Sequence, residues 1–278
     1  MGVTYHHGIS ILQVIVYFPC LVTAAFLVFR HGLRTNSGFL FLVLFALARI
    51  IGACCDLATI SDPTSTGLFT ASAICSSIGL SPLMLSCTGL LSRADQSIKR
   101  MTGQVLPTPV FPAFRILTLV AMILAIVGLT SNMTIEGMQH PAIETKIGMI
   151  LYLVSWVALL GLLLAITSRR SGLESGENRI LTAVALCMPF ILVRVIYACL
   201  IIFLHNSVFS MLAPSPTAML CMDVLEEIFV AVIILGFGFT LSVRAESDSE
   251  PKSGFESPIG AYPQQYQPQQ YQQSGDQA

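Results

Sequence analysis

The sequence predicts an all-α polytopic membrane protein: a seven-transmembrane-helix bundle with its N-terminus outside or lumenal and its C-terminus cytoplasmic. Three observations predict it. Of 278 residues, 54% are hydrophobic and 10% charged, with a mean hydropathy of +0.78, whereas a soluble domain carries about 25% charged residues. So few charges cannot cover a water-facing surface, which excludes a soluble enzyme and a disordered chain. A net charge of −1 with no basic stretch excludes a nucleic-acid binder. Second, seven apolar runs approach or exceed the length of about 20 residues that a spanning helix needs, at about 9–29, 38–60, 67–91, 112–130, 146–166, 180–204 and 218–241. Third, with the N-terminus outside, inner segments hold eleven of the fourteen Lys and Arg residues and outer segments hold Lys146 alone. Arg49 and Arg194 lie inside helices, and the bias sets the orientation.

Each run has its own reading. The first lacks a basic leader, is too long for a cleavable signal peptide and is followed by Arg30. His6 stands where a myristoylation signal needs Ser or Thr. The second run carries Arg49 and Asp56. The third holds Ser72, Ser76, Ser77, Ser81 and Ser86, with Pro82 interrupting its hydrogen-bond ladder, and its small residues are expected to let helices approach. After the fourth run, Asn132-Met133-Thr134 forms a glycosylation sequon on the outer side, close to a helix end. The fifth offers Tyr152 and Trp156, the sixth Pro189, Arg194 and Tyr197, and the seventh Asp223, Glu226, Glu227 and Phe229. The transmembrane domain is thus expected over 1–244. Residues 245–278, acidic and then rich in Gln, Pro and Tyr, are expected to be a disordered cytoplasmic tail.

The eight cysteines all fall in apolar runs and read as packing residues. A short internal similarity links Ala48–Cys54 (ARIIGAC) with Val193–Cys199 (VRVIYAC), and Leu90–Asp95 (LLSRAD) with Leu241–Glu246 (LSVRAE). A parallel 3+1+3 repeat of this kind occurs in some transporters.

Ionisable groups within a membrane are costly, so each is a functional candidate. There are six: Arg49, Asp56, Arg194, Asp223, Glu226 and Glu227. Arg49 and Asp56 lie two turns apart on one face, and Asp223 shares a broad face with Glu226 and Glu227. Helix direction places all six in the middle or outer half of the bundle, where they can line one cavity. Two arginines facing four carboxyls leave an excess of two negatives, which calls for a protonated acid, a bound cation or solvent. A protonated acid in an apolar, aromatic pocket serves acid catalysis or proton-coupled transport. The plainer reading is structural ion pairing, Arg49 with Asp56 and Arg194 with Glu226 or Glu227, and capping by Asp223. Between the adjacent glutamates, Glu226 is slightly favoured as the inward one. Tyr17, Tyr152, Trp156, Tyr197 and Phe229 are candidates to line the pocket and stabilise a cation through their ring faces, against a default of packing. His6, His7, His140 and His205 show no metal-ligand spacing, and neither metal nor cofactor is expected.

On helix 2 (Ala48–Thr59, ARIIGACCDLAT), helix 6 (Leu192–Cys199, LVRVIYAC), helix 7 (Met222–Phe229, MDVLEEIF) and the plan of 1–244, the chain resembles a fungal seven-helix integral membrane family. That family includes the membrane-bound terpene cyclases of ascochlorin- and ascofuranone-type meroterpenoid biosynthesis. The resemblance implies cyclisation of an epoxidised or hydroxylated farnesyl chain on an aromatic polyketide, begun by carboxylic-acid protonation. It implies as partners the bilayer, a prenylated aromatic molecule and neighbouring pathway enzymes, in the endoplasmic reticulum or another endomembrane. Glu226 or Asp56 would be the donor, with Arg49 and Arg194 orienting the acids. The absence of a DDxxD or NSE-type magnesium motif fits such chemistry. The alternatives are a proton-coupled transporter and a seven-helix receptor. Against a receptor, helix 7 has no NPxxY motif and helix 3 ends LLSRAD in place of the acidic-Arg-aromatic triplet, and a retinal pigment would need a lysine in helix 7.

Overall fold

The structure, a computed structural model, describes residues 5–31, 37–62, 65–103, 107, 109–131, 142–169, 177–203 and 216–241. The predicted tail, the Asn132 sequon, His140 and His205 lie outside the described residues. The helices are α1 (Tyr5–His31), α2 (Ser37–Ala58), α3 (Thr66–Ile78), α4 (Leu80–Thr102), α5 (Val110–Ser131), α6 (Ile143–Thr167) and α7 (Asn178–Phe203), then α8 (Pro216–Met219), a π-helical turn (Leu220–Val224) and α9 (Leu225–Thr240). No strand occurs among the described residues. Among the described residues six stretches are long and apolar enough to cross a bilayer, α3 and α4 counting together as Gly67–Met101. The protein is therefore a multi-pass membrane protein.

Local chemistry explains where the helices break. Pro82 has no N–H to return to the Ile78 carbonyl, and α3 gives way to α4 at Gly79, whose φ of −54° keeps the two nearly continuous. At its far end α4 closes on Gly103 in the left-handed region (φ 69°), whose N–H donates to the Lys99 carbonyl at 3.0 Å. Lys99 and Arg100 complement the helix dipole there.

From Gly79 to Leu91 α4 is buried on every side, which makes it the central helix. It packs on α2, α5, α6 and α7. The surrounding helices turn large apolar side chains outward, such as Ile15 and Phe18 of α1 and Leu164 of α6, all at least 60% exposed. In water such stripes would aggregate; in a bilayer they meet lipid. Because lipid is as apolar as leucine, helix association relies on close packing and interhelical hydrogen bonds. Glycines provide the first: a Cβ added at Gly148 of α6 would lie 2.9 Å from the Ala125 backbone nitrogen of α5. Ser86 provides the second, donating to the Gly38 carbonyl at 2.8 Å. At the end of α4 away from Leu80, the buried Arg93 guanidinium grips Glu177 side-on, Nε and Nη2 donating to Oε1 at 3.0 and 2.8 Å. This ties α4 to the start of α7.

Candidate functional site

At the other end of the bundle lies a cavity of about 830 Å³, within the range of small-molecule sites. Its walls come from the N-terminal part of α1, the C-terminal part of α2, α3, the first residue of α4, the facing ends of α5, α6 and α7, α8 and the π turn. Alternating helix direction puts all these segments at one level.

Below the cavity the charges converge. Asp223 Oδ1 accepts from Arg49 Nη2 at 3.1 Å and pairs with Arg194 Nε at 2.7 Å. Glu227 Oε1 accepts from Arg49 Nη2 and from Arg194 Nε, the latter at 3.1 Å. Each arginine thus bridges both carboxylates, and all four side chains are at least 92% buried. Arg49 Nη1 also donates to Ser76 at 3.2 Å, and Tyr17 donates to Glu227 Oε2 at 3.5 Å. Two positive and two negative groups make the cluster formally neutral. Gly79 makes room for it: a Cβ there would lie 2.8 Å from Arg49 Nη2 and 2.9 Å from Nε.

The side chains fall into layers one helical turn apart. Gln13, Arg49, Tyr152, Arg194 and Asp223 line the deep end of the cavity. Four residues deeper along each helix stand Tyr17, Phe45, Trp156, Phe190 and Glu227. Tyr17 stacks edge-on against Phe45, with ring centroids 5.3 Å apart, and closes the space beneath.

This geometry sorts the sequence candidates. Arg49, Asp56, Arg194, Asp223 and Tyr197 line the cavity. Glu227 and Tyr17 belong to the cluster under it. The expected preference for Glu226 is corrected: Glu227 enters the cluster, while Glu226 is half-buried and its Oε2 finds no hydrogen-bond partner among the described residues. The buried face of α9 runs through Glu227, Ala231, Ile234 and Gly238, and Glu226 lies about 100° off that stripe. Phe229 is corrected too, because two residues beyond Glu227 turn it about 200° away. It is 48% exposed and packs on Phe190 instead. Trp156 sits a turn below the cavity, its Nε1 donating to the Met188 carbonyl at 3.1 Å, so it braces α6 against α7. The Arg49–Asp56 pair is replaced by Arg49 with Asp223 and Glu227. Asp56 forms no ion pair among the described residues and accepts from Ser10 at 2.6 Å. Of the serines read as packing, Ser81 and Ser86 are fully buried, while Ser72, Ser76 and Ser77 line the cavity.

Sequence reasoning missed Ser10, Gln13 and Phe69, which also line the cavity. The signal was present: His6, Ser10, Gln13 and Tyr17 are spaced 4, 3 and 4 apart in an otherwise apolar run, a polar stripe of helical period. Among the described residues no group of three or more His, Cys, Asp or Glu side chains could hold a metal ion.

Comparison with curated proteins and with solved structures gives no match. A family model does match, over residues 3–244, which takes in every described helix, the charge cluster and all the cavity walls. The chain therefore belongs to the DUF7702 family, a domain of unknown function.

Proposed function

We propose that this protein is a membrane-bound terpene cyclase whose reaction chamber is the cavity and whose acid is Asp56. The observation that supports this most is that Asp56 lines the cavity outside the arginine cluster. Ser10 donates to its Oδ2 at 2.6 Å, which leaves Oδ1 to carry a proton toward a ligand. Protonating a terminal epoxide oxygen breaks its C–O bond to the more substituted carbon, and an alkene of the same prenyl chain attacks the cation. The final cation returns a proton to the Asp56 carboxylate, which restores the acid and makes the product an isomer of the substrate. The rings of Phe69, Tyr152 and Tyr197 line the same space and can face the developing charge. Asp223 and Glu227, each held by two arginines, act as structural counter-ions. Under this reading Pro216–Thr240 makes a seventh crossing. The cavity end then faces the lumen, and the Lys and Arg bias puts the opposite end in the cytoplasm.

The test feeds an epoxyfarnesyl aromatic to microsomes that contain the full chain, beside a folded Asp56→Asn variant. Wild-type conversion to an isomer, lost in the variant, is expected. Wild-type protein that is folded yet leaves a panel of such epoxides unchanged would sink the proposal. It would favour proton-coupled transport, a reading motivated by a cavity at one end of the bundle whose floor is an ion-paired cluster.

A further inference from the structure

The cavity changes character with depth. Near the helix ends the apolar side chains Ile60, Phe69, Leu129 and Ile201 share the wall with His6, His7, Asp56 and Thr59, whereas the deep end gathers Gln13, Tyr152 and the charge cluster. Two features of that deep end specify a ligand. The first is Gln13, 5% exposed and part of the cavity wall, whose amide Nε2 is buried without a hydrogen-bond partner among the described residues. Buried amides are nearly always satisfied, so one left open beside a cavity of about 830 Å³ marks a place for an acceptor oxygen. The second is the charge balance below it. Arg49 and Arg194 are each engaged by both Asp223 and Glu227, so the floor offers an anionic head no uncompensated cation. A cationic head finds no uncompensated carboxylate at that floor either, Asp56 standing about one turn higher, and it brings no acceptor to Gln13.

We propose that the cavity binds a neutral amphiphile head-down, with a carbonyl-type oxygen accepting from Gln13 and the hydrocarbon part against the apolar side chains of the upper wall, Ile60, Phe69, Leu129 and Ile201. Gln13 is then the residue that selects the head group. This rests on the reading of the cavity as a ligand chamber and deepens it by naming the head, its direction and its recognition residue. The direction has a chemical consequence. Asp56 bonds to Ser10, three residues before Gln13 on α1, so it stands about one helical turn above the bound head. A chain anchored at Gln13 passes its hydrocarbon part across that carboxyl.

The experiment uses the full chain in phosphatidylcholine nanodiscs and four probes with matched farnesyl-type tails. These are farnesylacetone (a neutral ketone), farnesoic acid (an anion), farnesylamine (a cation) and farnesane (no polar atom). The readout is protection of Cys75, a free thiol in the cavity wall, from maleimide, followed by mass spectrometry. The ketone is expected to protect at the lowest concentration. Gln13→Leu should weaken the ketone about fivefold to tenfold, the loss of one neutral hydrogen bond. The same variant should leave farnesane unchanged, which also shows it to be folded, and Gln13→Asn should recover part of the loss. Equal or tighter protection by the acid, the amine or farnesane overturns the proposal. So does a ketone affinity indifferent to Gln13→Leu, or a series in which no probe protects. Turnover is not read, so a chain that binds the ketone and converts no epoxide defeats the cyclase reading alone. Conversion without a ketone preference defeats this inference alone.

Discussion

Arg194→Met removes a guanidinium that is 7% exposed and that touches Asp223 at 2.7 Å and Glu227 at 3.1 Å. Arg49 then stands alone against two carboxylates, and the cluster carries a net −1 in a buried site. Breaking a buried pair from one side costs about 3–5 kcal/mol, because the charge left behind has neither water nor partner. Pairing the change with Asp223→Leu restores the balance, one arginine to one glutamate, and fills the volume with carbon. Apolar replacement of a whole buried pair is often neutral or better, so the double variant should lie within about 1–2 kcal/mol of wild type. The coupling between the two sites is then at least about 2 kcal/mol, as expected for groups in one ion-pair network. Unfolding of the full chain by SDS in mixed micelles, read by Trp156 fluorescence, gives the four free energies. A single variant within 1 kcal/mol of wild type, or costs that simply add, would refute the argument that the cluster is an interlocked unit.

Other expectations rest on packing and on the opposite end of the bundle. Gly79→Ala puts a methyl group 2.8 and 2.9 Å from Arg49 Nη2 and Nε, and should cost about 1–3 kcal/mol by overpacking. That cost should shrink in an Arg49→Leu background, which the same unfolding assay resolves. Glu177→Ala strips the buried Arg93 of its side-on partner and should cost about 3–5 kcal/mol. Its effect should add to that of Arg194→Met, since the two clusters share no residue. Gly148→Ala drives a Cβ to 2.9 Å from the Ala125 nitrogen. It should destabilise the α5–α6 pair by about 1–3 kcal/mol, and protection of Cys75 would show whether the cavity survives.

Much of this arrangement was legible in the chain because a bilayer imposes length and apolarity on anything that crosses it. Six of the seven expected crossings follow from that constraint alone, and so does the singling out of Arg49 and Arg194. Helix rotation was not legible from the carboxylates themselves, since Asp223 pairs by spacing with Glu226 and Glu227 alike. The deciding signal lay downstream, in the small residues Ala231 and Gly238, which mark the packed face of α9 and continue it back to Glu227. Side chains near Gly238 come as close as 2.8 Å to where its Cβ would stand, so that face must meet α1 and α2. The π turn over Leu220–Val224 was not legible either. It adds a residue to one turn, and no local composition announces it. Arg93 with Glu177 was missed because a polar segment before α7 reads as a loop, and nothing in its spacing shows that Glu177 turns inward.

The count of four carboxyls against two arginines looked like an excess in need of a proton, and the geometry divides it by location. Asp223 and Glu227 balance the charge of both arginines, so their charge is a folding constraint. Asp56 stands in the cavity, about ten ångströms nearer the helix end than Arg49 by helical rise, with a serine hydroxyl for company. Substitutions that replace one carboxyl group by an amide should therefore have opposite profiles. Glu227→Gln leaves two buried arginines with one carboxylate and should lose about 3 kcal/mol or more of stability. Whatever fraction remains folded should keep its conversion of an epoxyfarnesyl aromatic. Asp56→Asn still accepts from Ser10 and should stay within about 1 kcal/mol of wild type, with conversion abolished. The two variants, compared for unfolding in mixed micelles and for product per folded molecule, separate the roles. If Asp56→Asn turns over normally and folded Glu227→Gln does not, the reacting proton comes from the cluster, and the assignment of its acids to structure is wrong.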